Sequence, residues 1–163
     1  MSPYIDRLAE RLTADGCEVA HETVGGVPAT VGYRANWVAL SRIHLFVMAT
    51  HLNFALEEDM ARFTHAAKEL AKQRKGELRG LQSGVAVIAV LVTEDAEERA
   101  KALARRPFAL ERAVLAQPAL VSLAERRVHT FRKHRALGAL PNAYLRRKNR
   151  LYLPDPEYLP EPR

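Results

Sequence analysis

A single cysteine, Cys17, stands among the 163 residues, so no internal disulfide forms and nothing points to an oxidising compartment. The longest uncharged apolar run, Val85 to Val92, falls far short of the roughly 20 residues that a membrane-spanning helix needs. Nine prolines and eight glycines are too few for a collagen-like or low-complexity chain. The opening Met-Ser-Pro-Tyr-Ile-Asp lacks the basic-then-apolar order of a secretory signal. The expected location is therefore the cytoplasm. With 48% hydrophobic and 27% charged residues, a chain of this length buries about 70% of its unfolded surface and needs no metal to hold a core. One globular domain is expected over residues 1–153, followed by an extended tail over 154–163 spaced by Pro154, Pro156, Pro160 and Pro162.

Charge of one sign is missing from one stretch of the chain. The formal net charge is +6, yet Met1 to Glu125 sums to −1 and the last thirteen residues to −2. The intervening Arg126 to Arg150 carries +9 and no acid, on Arg126, Arg127, Arg132, Lys133, Arg135, Arg146, Arg147, Lys148 and Arg150. A near-neutral body thus carries a concentrated basic segment, which suits phosphate contact. Phe131, Tyr144 and Tyr152 lie within or beside it as candidates for stacking on bases.

The periodicities predict an α+β, or mixed α/β, fold. Ile5, Leu8 and Leu12 recur at helical spacing behind Ser2 and Pro3 and before Gly16, which predicts a first helix. Glu18–Val24 and Val27–Tyr33 flank Gly25-Gly26 as a hairpin, and Ile43–Thr50 alternates as a third strand. Leu56, Met60, Phe63, Ala67 and Leu70 form one stripe of a long helix reaching about Lys75, opened by Glu57, Glu58 and Asp59. Residues 85–92 are apolar on both faces and predict a central strand sandwiched by helices. Thr93-Glu94-Asp95 then reads as a helix start, residues 107–116 as a short helical piece ended by Pro118, and Ala119–Leu123 with Val128–Phe131 as a second hairpin. Pro141 opens a last, basic helix. The main order is α-β-β-β-α-β-α-β-β-α.

The first six of these elements are similar in order to the restriction-endonuclease-like core, in which a helix precedes three strands and a helix and strand follow. That resemblance rests on element order alone. Nuclease chemistry there implies an Asp near the second strand and an acid two residues before a Lys on the third, to hold the metal that activates water. No Asp or Glu occurs between Glu22 and Glu57, and Ile43-His-Leu-Phe-Val-Met-Ala holds no Lys. A fold of that type would be catalytically inactive here.

Other chemistry also lacks its residues. The six histidines show no His-Glu-x-x-His or Cys-x-x-Cys spacing, so no metal or other cofactor is expected. His44 and His51 differ in strand parity and would face opposite sides. Gly76, Gly80 and Gly84 mark a connector that leads into a strand and not into a helix N-terminus, unlike a phosphate loop. The expectation is a non-enzymatic binding or accessory protein whose basic segment contacts nucleic acid or an acidic protein. Two alternatives stay open: an enzyme with a pocket near Trp37, Arg42, His44 and His51, and a homo-oligomeric scaffold. Insertion into a membrane is not expected.

Overall fold

The computed structural model describes residues 2–38, 40–77, 83–107, 109–111, 114–133 and 139–156. Four helices and seven strands follow one another: α1 (Pro3–Ala14), β1 (Glu18–Val24), β2 (Val27–Val38), β3 (Ser41–Ala55), α2 (Glu57–Glu77), β4 (Ser83–Ala96), α3 (Glu98–Ala104), β5 (Ala109–Glu111), β6 (Val114–Ser122), β7 (Arg127–Thr130) and α4 (Ala139–Tyr152). The predicted order is present, with the three-residue β5 added. All strands join one mixed sheet in the order β1-β2-β3-β4-β6, and both β5 and β7 pair with the far side of β6. The β1-β2 and β2-β3 pairs are antiparallel, whereas β3-β4 and β4-β6 are parallel.

β4 occupies the middle of the sheet and is covered on both faces, as its two-sided apolar sequence requires. Ala86, Ile88, Val90 and Val92 join Leu8, Leu12, Leu45, Val47, Leu145 and Tyr152 in a core under α1 and α4. Val85, Val87 and Ala89 join Phe46, Met48, Phe63 and Ala67 under α2, and Leu91 meets Met60 and Ala100 where α2 and α3 adjoin. Among the described residues, no helix is long and apolar enough to cross a membrane.

α1 ends where the sequence places Gly16. Gly16 has φ +86°, its N–H reaches the Thr13 carbonyl at 3.0 Å, and the Cys17 N–H reaches Leu12 at 2.9 Å. These two bonds form a Schellman turn, which satisfies the last carbonyls of the helix. They also fix Asp15 and Cys17 against the layer where α4 docks. The start of α2 is tied down by two acids, one its own and one from the residue before α3, since Asp59 accepts the Leu56 N–H at 2.8 Å and Glu97 accepts the Glu57 N–H at 2.6 Å.

Several boundaries differ from expectation. β4 continues through Thr93, Glu94 and Asp95, because Phe54 and Ala55 of β3 extend the ladder to Asp95 and Ala96; the next helix opens only at Glu98. The helical piece expected over 107–116 is absent from the described residues, and Val114–Ser122 is a buried strand paired with β4. Pro118 lies inside this strand. Its carbonyl accepts the Thr130 hydroxyl at 3.1 Å, so its missing N–H faces the β5/β7 side, at the step where β6 changes partner. The reversal between β2 and β3 also lies further on than predicted, after Val38. Residues 78–82 of the glycine-marked connector and 157–163 of the tail lie outside the described residues.

Candidate polyanion interface around the C-terminal helix

α4 is anchored by a polar cluster at its junction with α1. The Lys148 ammonium, on a side chain 7% exposed, donates to Asp15 Oδ2 at 2.5 Å. The Tyr152 hydroxyl donates to the same oxygen, and Arg34 Nη1 lies 3.2 Å from Asp15 Oδ1. Cys17 Sγ is 3.6 Å from the Tyr152 oxygen. Burial alone would raise the Asp15 carboxyl, but the hydrogen bonds from Lys148 and Tyr152 and the charges of Lys148 and Arg34 hold it below the usual carboxylate range. Burial pushes the Cys17 thiol up, which disfavours the thiolate.

This anchoring corrects part of the predicted contact set. Lys148 is consumed by Asp15 and does not face solvent. Tyr152 and Phe131 are core residues, and Tyr144 is buried with its oxygen accepting Asn36 Nδ2 at 2.8 Å; none of the three offers a ring face for stacking. Arg126 closes the β6–β7 turn and Arg127 opens β7, about 10 Å along the strand from Thr130. Arg126 has φ +53° there. Lys133 is exposed beyond β7, and Arg135 lies outside the described residues.

The remaining four arginines converge. Arg132, Arg146 and Arg150 line a cavity of about 340 Å³ between β7 and α4, together with Asn149 and Asp155. Both carboxamide atoms of Asn149 are buried and have no hydrogen-bond partner among the described residues. Asp155 accepts the Val128 N–H at 2.8 Å and lies 3.8 Å from Arg132. On the other flank of α4, Arg147 and Arg150 line a more open groove of about 660 Å³ with Arg34, Asn36, Trp37 and Tyr144. Arg150 borders both. The Arg147 guanidinium lies 5.9 Å from the Tyr144 ring centre, a cation–π contact that holds it on the groove wall. The acids at the end of β4 and the start of α3 are engaged elsewhere: Glu94 with His51, Asp95 and Glu98 with Lys101, and Glu97 with the start of α2. Trp37 and Arg34 were not among the contacts expected from the basic segment, because both come from the distant β2.

The alternative pocket is not assembled. Trp37 and Arg42 face each other across the β2–β3 pair, but His44 is buried with its Nδ1 2.7 Å from the Tyr33 hydroxyl. His51 lies seven residues further along β3, in a separate cavity with Ser2 and His21, on the opposite face. β2 and β3 carry no carboxylate, and among the described residues no group of three or more His, Cys, Asp or Glu is placed to hold a metal.

A second charged cluster fastens α3 to the β6–β7 turn. Lys101, buried, meets Glu125 Oε1 at 2.5 Å, and His129 Nε2 lies 2.6 Å from the other oxygen of that carboxylate. The hydrogen bonds from Lys101 and His129 hold the Glu125 carboxyl below its usual range, and the bond to Glu125 holds Lys101 above its own. The Glu125 contribution is thus complete at neutral pH and is lost as pH falls through its lowered value; that of Lys101 is complete below the ordinary lysine range and is lost as pH rises through its raised value. Glu125→Gln is expected to lower stability by about 1 kcal/mol at neutral pH, since the carboxylate is partly exposed. Urea unfolding should show the gap from the parent protein closing in acid, as pH falls through that lowered value.

Comparison with known protein families, with curated proteins and with solved structures finds no match.

Proposed function

We propose that the chain is a non-enzymatic binding protein that contacts a polyanion, nucleic acid, through the flanks of α4. One observation carries this reading: Arg132, Arg146, Arg147 and Arg150 border two adjoining concavities that share Arg150. Arg147 and Arg150 are exposed and form no ion pair among the described residues. Among the described residues, the acids that line these two concavities, Asp15 and Asp155, are already engaged by Lys148, Arg34 and Arg132, so the local field stays positive. The non-enzymatic part of the reading is supported by the missing carboxylates of β2 and β3 and by the buried, protonated Cys17.

Binding to mixed-sequence DNA and RNA is expected to weaken with salt, with a log–log slope of about −3 for four neutralised phosphates. Arg147→Ala combined with Arg150→Ala should bring that slope to about −1.5 and leave the fold intact, because both side chains are exposed. Absence of measurable binding at about 50 mM salt overturns the reading. Salt-sensitive binding of an acidic protein without any of nucleic acid would assign the same arginines to a protein partner.

A further inference from the structure

The smaller cavity, between β7 and α4, is bordered by a polar side chain that the fold leaves unused. Arg146, Asn149 and Arg150, three and four residues apart along α4, share the side of the helix that lines this cavity, whereas Leu145 and Tyr152 face the core. Asn149 lies between these two sides of the helix and is 6% exposed. Neither its Nδ2 nor its Oδ1 has a hydrogen-bond partner among the described residues. A buried donor or acceptor left unmade costs about 1 to 3 kcal/mol, and an apolar side chain at this place would avoid that cost twice over. Core packing therefore does not account for an asparagine here. A ligand in the cavity does, because it supplies partners for both atoms.

The charge of the lining points to the ligand. Arg132, Arg146 and Arg150 against the single carboxylate of Asp155 leave a net charge of +2. Asp155 is turned to the protein, where its Oδ1 accepts the Val128 N–H at 2.8 Å and lies 3.8 Å from Arg132. A phosphodiester within a strand carries one negative charge, whereas a phosphomonoester carries about 1.5 to 2 at pH 7 and offers three acceptor oxygens. A cavity of about 340 Å³ is at the small end of the range for ligand sites, which suits one phosphorylated unit and not a length of chain. We infer that this cavity receives the terminal phosphate of a nucleic-acid strand. The three arginines meet its oxygens, while Asn149 donates to it through Nδ2 and accepts a hydroxyl or amino proton of the attached nucleoside at Oδ1. The inference rests on the polyanion reading above and narrows it to strand ends. The chain leading away from the end passes Arg150, which borders both concavities, and continues along the groove beside Arg147.

The test compares one oligonucleotide in three forms: phosphorylated at the 5′ end, phosphorylated at the 3′ end, and with hydroxyls at both ends. One of the phosphorylated forms is expected to bind about ten-fold tighter than the hydroxyl form, as hydrogen bonds to a charged group allow. Asn149→Leu should bring that ratio close to one and melt at or above the parent protein, because it removes two unpartnered polar atoms. Arg132→Gln, at an exposed position that the fold tolerates, should lower the ratio about three-fold or more. Equal affinity of the three forms, with salt-sensitive binding retained, overturns the terminal-phosphate site and spares the polyanion reading. A ratio that survives both substitutions overturns it as well, since the preference then arises elsewhere. An Asn149→Leu protein that melts well below the parent overturns the part given to Asn149. Failure of every strand to bind at about 50 mM salt, with a free nucleoside 5′-monophosphate bound by the parent and not by Asn149→Leu, overturns the polyanion reading and keeps the cavity as a mononucleotide site. Absence of binding by strands and nucleotide alike overturns both.

Discussion

Asp15→Asn is expected to destabilise the protein by about 3 kcal/mol, and Lys148→Met by clearly less. Both substitutions remove the same 2.5 Å ion pair, but they leave different things behind. With the Asp15 charge gone, the buried Lys148 ammonium has no anionic partner among the described residues and keeps a carboxamide oxygen and the faces of the Tyr144 and Tyr152 rings, each with its centre 5.7 Å away. An uncompensated buried charge typically costs about 3 to 5 kcal/mol; the lower end applies because the Asp15 side chain reaches solvent in part. Without the ammonium, Asp15 still has Arg34 at 3.2 Å and the Tyr152 hydroxyl, and the methionine refills most of the lysine's volume. A cost of about 1 kcal/mol is then expected. The double variant should be more stable than Asp15→Asn alone, since it has no stranded cation. Thermal melting separates these cases, as each kcal/mol moves the midpoint by about 2 to 4 °C at this chain length.

The same cluster carries a pH signature. Asp15 is held below its usual range in the folded protein, so its contribution is complete at neutral pH and is lost as pH falls through that lowered value. The gap between Asp15→Asn and the parent protein should therefore narrow in acid. Lys148→Met should also leave the salt slope of polyanion binding unchanged, because a buried, paired ammonium releases no counterion from a phosphate. A slope reduced by about one would return Lys148 to the binding surface.

Lys148 also shows what was legible in the sequence. The concentration of charge between Arg126 and Arg150 is visible from composition, but its division into binding and structural cations depends on Asp15, more than 130 residues earlier. The same holds for the aromatics. Phe131, Tyr144 and Tyr152 look available beside arginines, yet they form the apolar side of α4 and β7 that closes the core. The end of β2 was hidden for another reason. The reversal after Val38 has none of the glycine, proline, asparagine or aspartate that usually marks a turn, so the end of β2 and the start of β3 merge in the sequence. Strong local signals fared better: Gly16 ends α1, Gly25-Gly26 turns the first hairpin, and the two-sided apolar run of β4 lies at the centre of the sheet. Pro118 misled because its effect depends on which side of β6 its nitrogen faces, and only the pairing partners decide that.

Gly25→Ala is expected to cost about 3 kcal/mol, and the same change at Gly26 about 1 kcal/mol. Both glycines turn the β1–β2 hairpin with positive φ, at +59° and +82°, where a side chain costs about 1 kcal/mol by itself. Their surroundings differ. A Cβ on Gly25 would lie 2.6 Å from the Cβ of Ala66 on α2, whereas one on Gly26 meets nothing within 4 Å. Relief of the first contact requires the hairpin to lift from α2, and overpacking of this kind costs about 1 to 3 kcal/mol. Ala66→Gly should recover the steric part in the Gly25→Ala background while costing about 1 kcal/mol in the parent protein, because glycine weakens a helix interior. The double-mutant cycle should thus show a coupling of about 1 to 2 kcal/mol between positions 25 and 66, measured by urea denaturation. Equal costs at Gly25 and Gly26 would mean that the hairpin tip does not press on α2. The turn lies at the far end of β2 from the residues that border the α4 groove, about 30 Å along the strand, so Gly25→Ala should bind mixed-sequence DNA and RNA like the parent protein below its own melting point. That combination of large stability loss and unchanged affinity is the opposite of the pattern expected for Arg147→Ala combined with Arg150→Ala, which distinguishes a lost contact from a lost fold.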